Sequence, residues 1–280
     1  MTTATATNDS RAGTPAQADA GRPSALVMPG RAPVAPGWVF PALDRLTGAR
    51  TARVAAIDTL APGTVRLRIE RPSGYSFTAG QFALLRVATP SGPDLRPLSL
   101  AGSPESELLE FATRVGASAF KQTVFGLERG DEVKVSRPMG GLRYDPGRPA
   151  VLIAGGTGIT PLRSLLLSNA ALSSPAPMQL LFSNRHWQWI PFRDELAEQE
   201  RARENLHITW VQTSPVGTSR GANIHHGRIT PELLRSRLEQ LPDAVFYVGG
   251  SAAMTAEITG ILRGLGVARG RIRSARQGRR

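Results

Sequence analysis

The stretch Ala150–Pro161, reading Ala-Val-Leu-Ile-Ala-Gly-Gly-Thr-Gly-Ile-Thr-Pro, has the residue types and spacing needed to hold a pyrophosphate. The apolar run from Ala150 to Ala154 suits a strand buried on both faces. Gly155, Gly156 and Gly158 let backbone N–H groups come close to an anion, and a helix N-terminus just beyond them favours its charge. Pro161 fits the first turn of that helix, where its missing N–H has no partner to lose. Gly156 and Gly158 match the first two glycines of the G-x-G-x-x-G fingerprint, whereas Pro161 stands where the third belongs. A glycine turn after a strand is often purely structural, so its meaning depends on its surroundings.

The surroundings are two differently patterned halves. Upstream, Thr64–Ile69 alternates as half-buried strands do, and Ala52–Ile57 does so more weakly. Gln81–Val87, Leu108–Val115 and Glu132–Val135 continue the series. Turn signals fall at Pro62-Gly63, Gly80, Ser91-Gly92-Pro93 and Arg129-Gly130-Asp131, which is the pattern of a small antiparallel barrel. Downstream, strands are expected at Val151–Ala154, Gln179–Ser183, Ile208–Gln212 and Ala244–Val248, with a short fifth near Ile272. Helices fit Pro161–Ala170, Phe192–Arg203, Pro231–Gln240 and Ala252–Leu265, two of them opened by the caps Thr230 and Ser251. Such alternation implies a parallel sheet covered by helices. Ligands on these sheets bind beyond the C-terminal strand ends, which gathers Gly155–Thr160, Ser183–Arg185, Gln212–Ser214 and Gly249–Ser251 around one crevice.

Eight short motifs then occur in order: Gly80-Gln81-Phe82; Arg96-Pro97-Leu98-Ser99; Gly116-Ala117-Ser118; Gly130-Asp131; Pro138-Met139-Gly140; Gly155–Pro161; Phe192-Arg193-Asp194-Glu195-Leu196; and Tyr247–Met254. Together they resemble the ferredoxin–NADP reductase-like flavoenzymes from about Ala52 to about Ile272. The resemblance implies an antiparallel Greek-key β-barrel that binds FAD, followed by an α/β parallel-sheet domain that binds NAD(P). On that basis residues 1–36 form a disordered tail, 37–148 the barrel, 149–273 the nucleotide domain and 274–280 a basic tail. The resemblance also implies roles. Arg96 would pair with the flavin diphosphate, where its planar fork matches phosphate oxygens, and Ser99 would hydrogen-bond near flavin N5. Ala112 and Arg114, with Gly116 and Ser118, would cradle the diphosphate and adenine side of FAD, with Lys121 a possible added charge that more commonly faces solvent. Thr157 would bond the nicotinamide end of the pyridine nucleotide, beside Gly249 and Gly250. An ordinary strand-end arginine, a strand serine and a simple N-cap are the plain structural readings of Arg96, Ser99 and Ser118.

Three positions depart from the family pattern. Leu98 replaces the usual Tyr or Phe against the isoalloxazine, giving up a stacking contribution of about 1 kcal/mol. Gly249 stands where many relatives have Cys, leaving room beside the nicotinamide but no side chain to position it. Relatives often end with Glu and an aromatic that covers the second flavin face, whereas no aromatic follows Tyr247 here. For nucleotide choice, an acid after the second strand would suit the ribose hydroxyl of NAD, and an arginine the 2′-phosphate of NADP. Ser183-Asn184-Arg185, with no acid before Asp194, favours NADP, with NAD possible. Trp187 and Trp189 could pack on adenine, although capping the sheet edge is the simpler role.

Composition sets limits on all of this. The 280 residues are 41% hydrophobic, enough for two cores, and contain no cysteine. That excludes disulfides, a thiol nucleophile and a thiolate-held iron–sulfur cluster within this chain. The histidines are His186, His207, His225 and His226, the last two in a Gly-rich loop, and no metal site is expected. No apolar run spans a membrane and the first 36 residues lack a secretory pattern, so a cytoplasmic location is expected. The net charge of +12 is concentrated at the end: Arg263, Arg269, Arg271, Arg273, Arg276, Arg279 and Arg280 occur with no acid among them. With no nucleic-acid motif, that charge suits a frayed tail or a docking site for an acidic protein. The leading reading is an FAD-dependent NAD(P)H oxidoreductase that passes electrons to a separate acceptor of ferredoxin, flavodoxin or oxygenase type. The alternatives are an electron-transfer subunit of a larger flavoprotein complex, disfavoured by the missing cysteines, and a degenerate nucleotide-binding module with little turnover.

Overall fold

A computed structural model describes residues 41–214, 221 and 223–275. The tail 1–36 and residues 276–280 of the basic tail lie outside them. After a short helix α1 (Pro41–Thr47), the first half forms strands β1 (Arg50–Ala61), β2 (Thr64–Glu70), β3 (Phe82–Thr89), β4 (Gly92–Ser99), β5 (Leu108–Arg114) and β6 (Glu132–Val135), with helix α2 (Ala119–Phe125) between the last two. Among the described residues they form one antiparallel sheet in the order β4-β3-β6-β1-β2-β5. The outer strands meet beyond β4, where Ala101 N–H donates to the Glu110 carbonyl of β5 at 2.8 Å. Inward-facing Val54, Leu67, Ile69, Leu85, Leu109, Phe111 and Val135 fill the barrel, as period-two alternation requires.

β4 departs from the expected series, because its residues carry turn signals and a proline. As an edge strand it tolerates Pro97, which has no N–H to donate to a neighbour.

The second half contains β7 (Ala150–Gly155), α3 (Ile159–Ala170), β8 (Met178–Asn184), α4 (Arg193–Ala202), β9 (Leu206–Gln212), β10 (Ile224–His226), α5 (Pro231–Gln240), β11 (Val245–Gly249), α6 (Ala252–Gly264) and β12 (Ile272–Ser274). Its sheet is parallel, in the order β10-β9-β8-β7-β11-β12, with separate apolar clusters on its two faces. Thr230 and Ser251 cap their helices as expected, each accepting from a backbone N–H in the first turn. His225 and His226 do not lie in a loop. They sit on β10, paired parallel to Val211 and Gln212, because an edge strand this short leaves no alternating signal in the sequence. Among the described residues no helix is long and apolar enough to cross a membrane.

Candidate functional site

The apolar run of β7 ends in a tight turn, Gly156–Gly158, that leads directly into α3. Gly156 takes φ +52°, a left-handed conformation that glycine adopts without strain, and a Cβ there would meet nothing within 4 Å. The outer side of the turn is therefore open to a ligand. Gly158 is the opposite case. A Cβ on it would lie 2.3 Å from the Gly249 carbonyl oxygen, and a Cβ on Gly249 would lie 2.2 Å from the Gly158 carbonyl oxygen. The end of β11 and the turn after β7 thus touch backbone to backbone. The expectation that Gly249 leaves room beside the ligand is corrected: the Gly158 backbone occupies that room. Gly155 and Gly250 are covered by the Met254 thioether. Thr157 sits in the turn, its carbonyl accepting from the Thr160 hydroxyl at 2.9 Å, and Pro161 follows as the third residue of α3.

The neighbouring strand ends complete the crevice. Ser183 is half-buried and Arg185 exposed, while Asn184 is 8% exposed and in register with Gln212 of β9. The Asn184 side-chain nitrogen is buried with no hydrogen-bond partner among the described residues. Such a group is costly to leave unpaired, and a ligand acceptor entering the crevice would satisfy it. The Asn184 and Arg185 carbonyls accept from Thr213 N–H and Ser214 N–H, tying the two loop starts together. Trp187 packs on Trp210 with ring centroids 5.6 Å apart and lies beneath the Arg193 guanidinium, whereas Trp189 is exposed against His186.

On the barrel, β4 carries Arg96, Pro97, Leu98 and Ser99, and β3 pairs with it so that Phe82 faces Ser99 and Leu85 faces Arg96. Arg96 is half exposed and held by Asp94 at 2.8 Å, so it stands at the edge with donors to spare. Leu98 packs against the barrel cluster. Helix α2, with Ser118 as its N-cap, lies against β3 and β4. Ser118 Oγ accepts from Lys121 N–H at 3.4 Å. Lys121 is half-buried, and its stem covers the space where a Gly116 Cβ would be. Arg114 is exposed at the end of β5, and Ala112 of the same strand is buried against α3 and β7 residues. β5 also lies against the glycine turn.

Two further groups were illegible in the sequence. Arg163 and Ser164 of α3 bond the barrel backbone at Ala101 and Gly102. The segment joining the two halves, Gly141–Pro146, forms an open recess of about 600 Å³ with Gly270, Arg273 and Ser274. Tyr247 is fixed there by a bond from Asp145 N–H at 2.9 Å, and Tyr144 by one from Asn169. Burial pushes Tyr144 up to about 12 and raises Tyr247 as well, so both stay neutral phenols. β12 runs beside β11, and Ala275 N–H donates to the Val248 carbonyl, so the chain reaches the crevice end of the sheet at Ala275.

The comparisons agree with this geometry. Residues 152–259 match the model of the oxidoreductase NAD-binding domain. Ferredoxin–NADP reductase B of Sorangium cellulosum is 32% identical over 229 residues, covering 78% of this chain and 93% of that protein. The ferredoxin–NAD(P)(+) reductase component of the naphthalene 1,2-dioxygenase/salicylate 5-hydroxylase systems of a Ralstonia species is 30% identical, covering 78% of this chain and 66% of that protein. A solved ferredoxin–NADP+ reductase from Neisseria gonorrhoeae with bound FAD and NADP superimposes with a TM-score of 0.70 at 21% identity, covering 81% of this chain and 98% of that one. A flavoenzyme built of an antiparallel barrel and a parallel nucleotide-binding sheet is therefore the class. The chain belongs to the ferredoxin–NADP reductase-like family of FAD-dependent NAD(P)H oxidoreductases.

Proposed function

We propose that this chain binds FAD at the β4–α2 edge of the barrel and NADPH in the sheet crevice, and delivers electrons to a separate protein acceptor. In this reading 37–148 is the flavin domain and 149–273 the nucleotide domain, and the protein works in the cytoplasm. The observation that carries it is the meeting of the open glycine turn with the barrel at β5. When bound, the flavin accepts a hydride from the nicotinamide and releases electrons to an acceptor.

The residues supply binding and alignment. Arg96 turns its free donors to the diphosphate, with Ser118 and the Gly116 N–H beside it. Ser99 offers a hydroxyl to the reactive edge of the flavin, and Leu98 covers the ring by dispersion. The turn N–H groups at Gly156–Gly158 face the nucleotide pyrophosphate, and Thr157 its nicotinamide end. Asn184 donates its unpaired amide to the nucleotide, and the exposed Arg185 takes the 2′-phosphate, favouring NADP over NAD. The degenerate-module reading draws on Leu98 and Gly249, but the Gly249 backbone contact gives that glycine a packing reason independent of lost activity.

Purification decides the main point. The protein should be yellow, and anaerobic NADPH should bleach it. A colourless chain that binds no FAD, or a yellow one that neither nucleotide bleaches, would overturn the reading. The acceptor is proposed to be an acidic ferredoxin or flavodoxin, guided by the arginine excess. Its reduction should slow steeply with salt while a small neutral quinone is unaffected, because long-range attraction is screened beyond about 8 Å at physiological ionic strength. A salt-independent rate with the protein acceptor would remove the electrostatic part of the proposal.

A further inference from the structure

We infer that Arg163 is a positioning residue that latches the nucleotide domain to the barrel and so sets the alignment between Thr157 and Ser99. This rests on the roles proposed above for those two residues.

Arg163 is only 4% exposed and belongs to α3, the helix that begins directly after the glycine turn. Its Nη1 donates to the Ala101 carbonyl at 2.7 Å and to a Glu110 carboxylate oxygen at 3.2 Å, both on the barrel. Its Nε and Nη2 take both oxygens of Glu195 on α4 at 2.7 and 3.0 Å. The next residue, Ser164, donates its hydroxyl to the Gly102 carbonyl at 2.7 Å. Ala101 and Gly102 are the continuation of the strand that ends at Ser99. Two adjacent side chains of one helix thus hold the backbone just past Ser99, while the start of the same helix carries the glycine turn.

Arg66 of β2 closes the set, 3.6 Å from Glu110, 4.0 Å from Glu195 and 3.1 Å from Asp58. A guanidinium suits this task because its donors lie in fixed directions, whereas a lysine ammonium acts as a single swivelling point. Stability alone does not call for the arrangement, since buried ion pairs are often replaceable by apolar packing without loss. A second observation marks the same place. Phe192, whose ring lies 4.5 Å from the Arg163 guanidinium carbon, is held at φ 58°, the one non-glycine residue with positive φ among the described residues. Strain of this kind persists only where surrounding contacts over-determine the backbone, and it clusters at working parts of proteins.

The test uses Arg163→Lys, Glu195→Gln and Ser164→Ala in the full chain. At saturating NADPH the rate constant for flavin bleaching should fall by about tenfold or more in Arg163→Lys, while the NADPH KM moves by less than about twofold. Glu195→Gln and Ser164→Ala should give smaller falls in the same direction. Because the chain has no cysteine, spin labels at Arg129→Cys on the barrel and Arg235→Cys on α5 can report the distance between the two halves in flavin-free protein. That distance distribution should be narrow in the parent and broader in Arg163→Lys. A variant that melts earlier yet keeps the parental bleaching rate and distance distribution would reduce Arg163 to a structural residue and overturn the inference. Ser164→Ala removes only one hydroxyl, so it remains informative if the arginine variants do not fold. A parent chain that neither nucleotide bleaches would sink the functional reading instead, and the distance measurement would still decide the latch.

Discussion

The two candidate binding regions are built by opposite means. On the barrel the proposed ligand groups are side chains: Arg96, Arg114 and Ser118 are exposed, and the strands beneath them pack without their help. In the sheet crevice the proposed phosphate site is backbone, and side chains matter by their absence, with Gly158 and Gly249 in backbone contact where any Cβ would collide. A substitution at the barrel edge should therefore cost ligand and spare the fold, while one in the crevice should cost the fold first.

The sharpest way to break that comparison is Gly249→Cys, which puts there the residue that the family resemblance leads one to expect. Its Cβ would lie 2.2 Å from a backbone oxygen that cannot rotate away. Overpacking of this kind should destabilise the chain by about 3 kcal/mol, seen as an earlier denaturant midpoint with an unchanged slope. A Gly249→Cys variant as stable as the parent would mean that the crevice relaxes as freely as the barrel edge. Next in size is Arg96→Ala. It should weaken FAD binding by about 2–3 kcal/mol, the range for a lost hydrogen bond to a charged group, while the melting of flavin-free protein stays put. An equal loss of apoprotein stability would show that Arg96 serves the barrel and not the ligand. Arg185→Ala tests an exposed charged side chain of the crevice. It should weaken NADPH by about 1.5–2 kcal/mol and leave NADH nearly unchanged, as expected for loss of one exposed charge-assisted contact. Equal effects on both nucleotides would separate Arg185 from the 2′-phosphate.

How much of this was legible in the sequence follows the same division. The buried strands and capped helices of the second half are readable because continuous apolar runs and Ser or Thr caps are local signals, and β7, α5 and α6 lie where those signals place them. β4 and β10 escape because an edge strand needs no alternation and tolerates Gly92, Pro93 and Pro97. Candidate ligand residues were found by motif order, whose local spacing survives in one sequence. Arg163 could not be found that way. It reads as the one charge in an otherwise uncharged helix, and its partners Glu110 and Glu195 lie far along the chain in other elements. Nor does anything in the Gly249 position alone announce that the space a side chain would fill belongs to Gly158.

The smallest expected effect concerns a barrel charge that serves the fold. Asp44 of α1 accepts from Nη2 of the buried Arg86 at 3.0 Å, lies 2.8 Å from its Nη1, and accepts from Lys134 of β6. Partial burial pushes its carboxyl up, but the bonds from Lys134 and Arg86 outweigh this and hold it below the usual value of 3.8. A group whose folded value is depressed contributes stability above its unfolded value, and loses it as pH falls through the folded one. The contribution of Asp44 should therefore be complete at neutral pH and fade below about pH 4. Asp44→Asn keeps one acceptor oxygen but exchanges the other, and the charge, for an amide NH2, so it should cost about 1 kcal/mol at pH 7, a Tm shift of about 2–4 °C for a chain of this size. As pH is lowered toward 3, the gap between parent and variant should shrink, because the parent loses by protonation what the variant already lacks. Parallel melting curves from pH 7 to pH 3 would show that Asp44 does not titrate with folding. Flavin content should be the same in both proteins at pH 7, and a loss in the variant would mean that α1 supports the cofactor edge as well as the barrel behind it.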